Sequence, residues 1–287
     1  MGIEDVRQVA AHVLTGDPGR LRDAGTGAAF DAQTYSWMKH GDLDAIEVLG
    51  SQLAESLLDS VPSLGSSPVV PVLPVAYLEV PPSCWFLAAV VLRIVNDRRR
   101  SAGLERGRIV KVHKDSVTHT DYAAASQEER RAELARIGFR LAEPIEGTAA
   151  VVVDDVRVTG HAEATILRAL ADARPARLVT AYVAVCDDDL AQTPHVESAL
   201  NHARVTSVLD LLPVIQAGRF ALTIRFLKRA LASPELPELV AGCPRSLVEQ
   251  MYAGALATGE SFVAAYAPGV AVLEAALEHG PSEVAHA

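Results

Sequence analysis

The sequence has few of the features that mark secreted, membrane-spanning or metal-binding proteins. Only three cysteines occur in 287 residues, Cys84, Cys186 and Cys243, and their spacing fits neither a metal site nor a CxxC motif. We therefore expect reduced thiols and a cytoplasmic protein. The most apolar helix candidate, CWFLAAVVLRIV, is too short to cross a bilayer, and the N-terminus lacks the basic and apolar regions of a secretory signal. No membrane association is predicted.

Positive charge is also scarce. Lys and Arg number 26 against 36 Asp and Glu, which gives a formal net charge of −10. A nucleic-acid binder needs a basic face to neutralise phosphates, so no nucleic-acid partner is expected. The basic run NDRRRSAGLERGR at 96–108 is local and typical of a solvated helix end. Apolar residues make up 49% of the chain, which is enough for a sizeable core.

Several common catalytic motifs are missing as well. The sequence has no GxSxG, HExxH or Walker pattern, which argues against a nucleophile elbow, a zinc-peptidase helix and a nucleotide-binding P-loop. His12, His195 and His202 have no partners at metal-ligand spacing, so a structural role is expected for each. The chemistry of the protein must therefore come from other residues.

The middle of the chain alternates between strand and helix patterns. The segments AAVVVDD, HAEATILRALADA and RLVTAYVAVC read as strand, helix and strand, and RIVKVHK is a further strand. Continuous apolar strands are buried on both faces, which favours a parallel α/β sheet. SSPVVPVLPVAYLEV contains three prolines and predicts a short or irregular strand. Residues 1–33 are predicted as a short helix and a Gly-rich turn, SQEERRAELARIG as a helix capped by Ser126, and the chain beyond 190 as mostly helical.

One stretch, AAVVVDDVRVTGHAEATI at 149–166, joins an acidic pair to a glycine turn. Ligands of open parallel sheets bind beyond the carboxyl ends of the strands, where Asp154 and Asp155 are predicted to lie. Two neighbouring carboxylates repel each other and need hydroxyl donors, a cation or a metal nearby. The turn and the helix start offer backbone N–H groups to an anion. Together these groups describe a ribose 5-phosphate site, although a surface turn, a flavodoxin-like sheet or a methyltransferase sheet would give a similar pattern.

The stretch resembles the phosphoribosyl-pyrophosphate (PRPP) motif of type I phosphoribosyltransferases. That resemblance implies an α/β fold with a parallel sheet flanked by helices, at 34–190, followed by a helical C-terminal region at 191–287. It also implies that Asp154 and Asp155 address the ribose hydroxyls. The 5-phosphate loop would comprise Val158, Thr159, Gly160, His161 and Ala162. The usual loop ends Thr-Gly-Gly-Thr, whereas this one reads TGHA and lacks the last hydroxyl, in whose place His161 would supply a donor.

Further segments resemble a branch of this family found in bacterial tellurium-resistance gene clusters. Arg157 and Glu163 flank the turn as they do in that branch and would assist PRPP binding. The blocks TYSWMKHGD, PVAYLEVPPSCWFLA, DYAAASQEERRAEL and PHVESALN resemble others of the branch, in the same order. In the last block Glu197 and Asn201 lie one helical turn apart, where they would contact an acceptor or, as the commoner case, cross-link helices.

Two more segments match functional loops of the family. AYLEVPPSC falls where type I enzymes have the pyrophosphate loop, with candidate residues Ala76, Tyr77, Pro82, Ser83 and Cys84, although it also fits an ordinary Pro-rich turn. KVHKDSVTHTDY at 111–122 falls where the family has a mobile hood that closes over PRPP. Lys111, His113 and Lys114 are the candidate catalytic cations there, and a solvated loop is the alternative.

The resemblance implies a magnesium-dependent transfer of a phosphoribosyl group from PRPP to a small-molecule acceptor. Mg²⁺ would enter with PRPP rather than bind to the protein alone, with Asp154 and Asp155 available as additional ligands. A PRPP- or nucleotide-sensing protein without catalysis is the alternative, and hydrolysis or phosphorolysis of a nucleotide is a third reading. A homodimer is kept as a candidate oligomeric state, and the acceptor cannot be read from the sequence.

Overall fold

A computed structural model describes residues 6–114, 139–193 and 195–279 of the chain. Seven strands form one sheet in the order β2-β1-β7-β6-β3-β4-β5. These strands are β1 (Arg7–Asp17), β2 (Arg20–Asp23), β3 (Pro71–Ala76), β4 (Arg108–Lys114), β5 (Phe139–Leu141), β6 (Ala149–Arg157) and β7 (Arg177–Cys186). The five strands from β1 to β4 in this order are parallel, and β2 and β5 add antiparallel edges. The predicted parallel α/β sheet is confirmed.

The sheet has a switch point between β3 and β6. The chain leaves β3 toward β4 on one side and leaves β6 toward β7 on the other. The two strands pair only at their first residues, Pro71 with Ala149 and Val72 with Ala150, and then diverge. The crevice beyond the carboxyl ends of two such strands is where open α/β sheets bind ligands.

The prolines of β3 fit this divergence. The N–H of Tyr77 donates to the Val112 carbonyl of β4 at 3.2 Å, so odd-numbered residues of β3 face β4 with their N–H groups. Pro74 is even-numbered and turns its donorless nitrogen toward β6, where the ladder has already ended at Val72. The predicted short strand is therefore correct. Pro74 is tolerated inside the sheet because β6 no longer pairs with β3 at that position.

Helices cover both faces of the sheet. One face packs against the helices around Leu49, Leu53 and Leu87, and the other packs against the helix that contains Leu167 and Leu170. Among the described residues up to 191, the helices are α1 (Ala32–His40), α2 (Leu43–Ser60), α3 (Ser63–Ser66), α4 (Ser83–Ser101), α5 (His161–Asp172) and, directly after β7, α6 (Asp188–Ala191).

The C-terminal region is helical, as predicted, and has its own apolar core. Phe226, Leu239, Met251 and Phe262 are buried at its centre. A 3-10 turn at Val208–Leu211 precedes α8. The helices are α7 (Val196–Asn201), α8 (Leu212–Gln216), α9 (Ile224–Ala232), α10 (Leu236–Gly242), α11 (Arg245–Thr258), α12 (Glu260–Ala265) and α13 (Ala267–His279). The proposed boundaries at 34 and 191 stay a prediction.

The predicted N-terminal helix is wrong. Residues 7–17 form β1, which pairs along its length with β7, and β2 folds back on it as a hairpin. Val9 and Leu14 are buried while Val13 is exposed, a spacing that follows neither strict strand alternation nor one face of a helix. Pairing with β7 decides the outcome, because strand preference depends on neighbours more than on the local sequence. The helix predicted to start at Ser126 and the hood beyond Lys114 lie outside the described residues.

Candidate active site

The acidic pair lies near the carboxyl end of β6, at the switch point. Asp154 pairs with Tyr182 of β7, three residues before β6 ends at Arg157. Successive side chains of a strand point to opposite faces, so the two carboxylates enter different surroundings. Asp155 is 5% exposed, whereas Asp154 is half-buried.

Asp155 is held by donors from two helices. Its Oδ1 accepts from the Tyr35 hydroxyl at 3.0 Å, and its Oδ2 forms an ion pair with Lys39 of the same helix, α1. The Ser83 hydroxyl, at the start of α4, lies 3.4 Å from Oδ2. Burial would raise the pKa of Asp155, but the Lys39 ammonium and these hydrogen bonds lower it below its usual value. Asp155 is therefore a buried carboxylate that is stabilised in its charged form.

Asp154 has the opposite electrostatic balance. Burial, and then the negative charge of Asp155, raise the pKa of Asp154 to about 7. Lys39 lowers it and Glu197 of α7 raises it, so groups from α1 and α7 act on the same carboxyl. Its Oδ1 accepts from the Asp155 backbone N–H at 2.9 Å.

The 5-phosphate loop predicted at 158–162 joins β6 to α5. Arg157 pairs with Glu163 across this turn, with Nε 2.6 Å from Oε2. The Tyr182 hydroxyl donates to Glu163, and burial raises the pKa of Tyr182. The predicted pair Arg157 and Glu163 is thus brought together, and it brackets the loop. Val158 and Gly160 are half-buried and Thr159 is exposed, whereas only the backbone of His161 and Ala162 is described.

The turn before α5 requires a glycine at position 160. Gly160 has φ +71° and precedes the first residue of α5, and a Cβ placed on it would lie 2.6 Å from Arg157 Nη2. The Arg157 guanidinium therefore lies directly against the turn. The first amides of α5 lack intrahelical acceptors, as at any helix start, and can donate to an anion.

The predicted pyrophosphate loop follows β3. Ala76 ends β3, and Ser83 begins α4 with Pro82 as its N-cap residue. Val80 is buried in the C-terminal core, and the Pro81 carbonyl accepts from the Ile224 N–H of α9 at 3.0 Å. The C-terminal helices therefore hold this loop in place. Tyr77 and Cys84 are half-buried beside it.

The candidate hood cations begin in a strand rather than in a loop. Lys111 and His113 lie within β4, and Lys114 ends it. Lys111 Nζ lies 4.7 Å from the centre of the Tyr77 ring and 3.6 Å from Glu79. Lys111 thus contacts the loop between β3 and α4, which is the predicted pyrophosphate loop. A role for these three residues in catalysis stays a prediction.

The C-terminal helices add a charged pair near the acidic residues. Arg225 Nη2 of α9 lies 4.0 Å from Glu197 Oε1 of α7, and Glu197 raises the pKa of Tyr35 after burial and Asp155. Asn201, one turn after Glu197, is fully buried, and its backbone carbonyl accepts from the Ser36 hydroxyl of α1 at 2.7 Å. This contact involves the backbone only, so the roles of the Glu197 and Asn201 side chains stay a prediction.

Two expectations about metal and thiols can be compared with the described residues. They contain no group of three His, Cys, Asp or Glu side chains able to hold a metal ion. Cys84, Cys186 and Cys243 form no disulfide with one another. In the described part of the chain, no helix has the length and apolarity needed to span a membrane.

Sequence reasoning missed two residues that contact the acidic pair. Tyr35 and Lys39 lie 120 and 116 residues before Asp155. The block TYSWMKHGD contains both, but a local pattern gives no sign that their side chains reach β6. Their i, i+4 spacing on α1, facing the sheet, is the one signal available.

The sequence matches the model of a known protein family over most of its length. The family model described as PRTase ComF-like matches residues 22–271. The chain belongs to this phosphoribosyltransferase family. The type I phosphoribosyltransferase relationship is therefore confirmed, and it supports phosphoribosyl transfer as the general chemistry of this phosphoribosyltransferase. Membership of the tellurium-resistance branch stays a prediction. No curated protein matches the chain.

Solved structures give weaker matches. The hypoxanthine-guanine phosphoribosyltransferase of L. donovani is 10% identical, with 50% of this chain and 70% of that chain covered and a TM-score of 0.34. A hypoxanthine phosphoribosyltransferase from Trypanosoma cruzi, in complex with the product IMP, is 15% identical, with 54% and 73% covered and a TM-score of 0.34. Similarity at this level assigns neither a substrate nor an acceptor to the present protein.

Proposed function

We propose that the protein transfers a 5-phosphoribosyl group from PRPP to a small-molecule acceptor and releases pyrophosphate. One observation carries this proposal: Asp154 and the β6–α5 turn lie together at the switch point of a parallel sheet. A carboxylate suits a sugar hydroxyl, and the helix start beside it suits a phosphate. The family assignment supports the same reaction class.

The remaining candidate residues fit subsidiary roles in this reaction. The turn at 158–162, with Arg157 beside it, would bind the 5-phosphate. The β3–α4 loop would bind pyrophosphate through the amides of Ser83 and Cys84. Lys111, His113 and Lys114 would then stabilise the charge that develops on the leaving pyrophosphate.

Magnesium fits this site as a companion of PRPP. Asp155 is occupied by Lys39 and hydroxyl donors, and no three-ligand cluster exists among the described residues, so an all-protein cage is not expected. Mg²⁺ binds mainly through substrate phosphates in such sites and would neutralise pyrophosphate charge. The protein would supply the binding surface and its orientation.

Several finer points belong to this proposal. The sequence predicts membership of the tellurium-resistance branch, a cytoplasmic location and a homodimer, and these predictions are included in the proposal. The acceptor remains unidentified. The alternative is a PRPP- or nucleotide-sensing protein on the same fold, which would bind PRPP without releasing pyrophosphate.

The test combines binding and turnover. Titration calorimetry should detect PRPP binding to the wild-type protein with Mg²⁺, and Asp154→Asn should weaken it roughly 10- to 100-fold, because a charge-assisted hydrogen bond contributes about 1.5–3 kcal/mol. Asp172→Asn, an exposed carboxylate at the end of α5, is the matched control. Pyrophosphate release in the presence of bases, amines and aminocyclitols would separate enzyme from sensor. Equal PRPP affinity in wild type and Asp154→Asn would refute the proposal.

A further inference from the structure

We propose that the two carboxylates of the acidic pair have different roles: Asp154 faces the sugar of PRPP, whereas Asp155 is a positioning residue whose counter-ion is Lys39. The role of Asp154 rests on the proposed function. The pairing of Asp155 with Lys39 is a property of the folded chain and can be tested without any substrate.

The acceptor capacity of Asp155 is fully used. A carboxylate offers about four lone-pair sites. Oδ1 accepts from the Tyr35 hydroxyl at 3.0 Å and from the Val156 backbone N–H at 2.7 Å. Oδ2 takes the Lys39 ammonium and faces the Ser83 hydroxyl at 3.4 Å. A ribose hydroxyl would have to displace one of these four donors.

Burial makes such a displacement expensive. The side chains of Lys39 and Asp155 are 12% and 7% exposed. Removing one partner of a buried ion pair leaves an uncompensated charge, which costs much more than the pair itself contributes. Asp155 is therefore expected to keep Lys39 when PRPP binds.

The contacts of Asp155 show what it positions. Tyr35 and Lys39 are one turn apart on α1, and Ser83 is the first residue of α4. Asp155 thus fixes α1 and the end of the pyrophosphate loop onto β6, at the edge of the crevice. It acts on the site through these elements.

Asp154 differs in each of these respects. Within the described residues, its hydrogen bond is the one its Oδ1 accepts from the Asp155 N–H at 2.9 Å. It is half-buried and so keeps surface open to a ligand. Of the two carboxylates, Asp154 alone has acceptor capacity left for a sugar hydroxyl.

The experiment is a double-mutant cycle read by two methods. Lys39→Met, Asp155→Asn, the double variant and Asp154→Asn are compared by thermal unfolding without ligand and by PRPP titration with Mg²⁺. Arg106→Met, which removes an exposed cation, is the control for charge loss. The Asn and Met pair is chosen because the Asn amide can donate to Ser83 while its oxygen keeps the Tyr35 contact.

The expected thermal result is strong coupling. Each single variant of the ion pair should lower Tm by on the order of 10 °C, and the double variant should unfold no lower than either single one. If a single variant fails to fold while the double variant folds, the coupling is present in its extreme form. Additive losses in the double variant would show that Lys39 is not the counter-ion.

The variants should rank in the opposite order by PRPP affinity and by Tm. Asp154→Asn should lose roughly 10- to 100-fold in PRPP affinity with a Tm at pH 8 no lower than that of the wild type, whereas the double variant should lose less than about tenfold. A double variant that loses as much affinity as Asp154→Asn would make Asp155 a sugar ligand and overturn the proposal. If the wild type binds no PRPP, the proposed function fails, and the thermal cycle alone decides the role of Asp155.

Discussion

The two strand-to-helix loops at the switch point are held in place by different means. The β6–α5 turn is bracketed by Arg157 and Glu163, six residues apart in the chain. The β3–α4 loop is held by the C-terminal helices, through Val80 in their core and the Ile224 N–H on the Pro81 carbonyl. The first loop is stabilised by residues that are close to it in the chain, whereas the second depends on the packing of a region more than 100 residues away.

This difference predicts how the two loops respond to substitutions. Substitutions in the β6–α5 turn should weaken PRPP binding with little loss of global stability. A loop that shares a core with the C-terminal helices should lose both together, because loosening it opens that core. We therefore expect substitutions in the C-terminal core to affect PRPP binding as well as stability.

Of the two loops, the β3–α4 loop should show the larger effect on stability, at Val80, which joins this loop to the C-terminal core. Val80→Ala removes two buried methyl groups and should lower the free energy of unfolding by about 2 kcal/mol. Val80 packs against Gly254, where an added Cβ would lie 2.6 Å from Val80 Cγ2, so the fit is close. PRPP affinity should fall as well. Chemical denaturation and titration calorimetry measure the two effects.

Val48→Ala is the matched control, since Val48 is 49% exposed on α2. It should change stability by less than about 0.5 kcal/mol. A Val80→Ala variant that loses stability but keeps full PRPP affinity would separate the loop from the C-terminal core and contradict the comparison.

Gly160 offers the next largest effect, in the local loop. Gly160→Ala should cost about 1–2 kcal/mol for its left-handed backbone and should also displace the Arg157 guanidinium. Because this displacement alters the turn, PRPP affinity should fall more than stability does. Gly147→Ala is the control: Gly147 has φ +73°, with no atom within 4 Å of an added Cβ. Equal PRPP affinity in the two variants would mean that the Arg157 contact is unimportant.

The same contrast between local and distant contacts decided what could be predicted from the sequence. The strand, acidic pair, turn and helix at 149–166 are consecutive, so their pattern was readable, and β7 was predicted with its observed bounds. Lys39 and Tyr35 reach Asp155 only through the packing of α1, and no local pattern reports that. The N-terminal strand was missed for a related reason, since β7 determines its conformation from 170 residues away.

A third prediction concerns the pH dependence of stability without ligand. Burial and Asp155 raise the pKa of Asp154 to about 7, so its stabilising contribution is present at low pH and is lost as the pH rises through that value. The Asn variant cannot ionise. The Tm of Asp154→Asn relative to wild type should therefore increase between pH 5 and pH 8, measured in chelator. The same pH series on Asp172→Asn supplies the baseline, and a parallel course of both variants would show that Asp154 titrates normally.

The smallest effect on stability is expected at Lys111, where the pyrophosphate loop meets β4. Lys111→Met removes a cation 4.7 Å from the Tyr77 ring and 3.6 Å from Glu79, at a side chain that is 25% exposed. Exposed cation–π contacts and surface ion pairs each contribute under about 1 kcal/mol, so the Tm should hardly change. Turnover should fall much more than PRPP affinity, because a cation beside leaving pyrophosphate is worth most in the transition state. Glu79→Gln breaks the same ion pair and keeps the cation, so it should retain turnover. If both variants lose turnover equally, Lys111 serves to hold the loop in place, and the charge on pyrophosphate is stabilised by other cations.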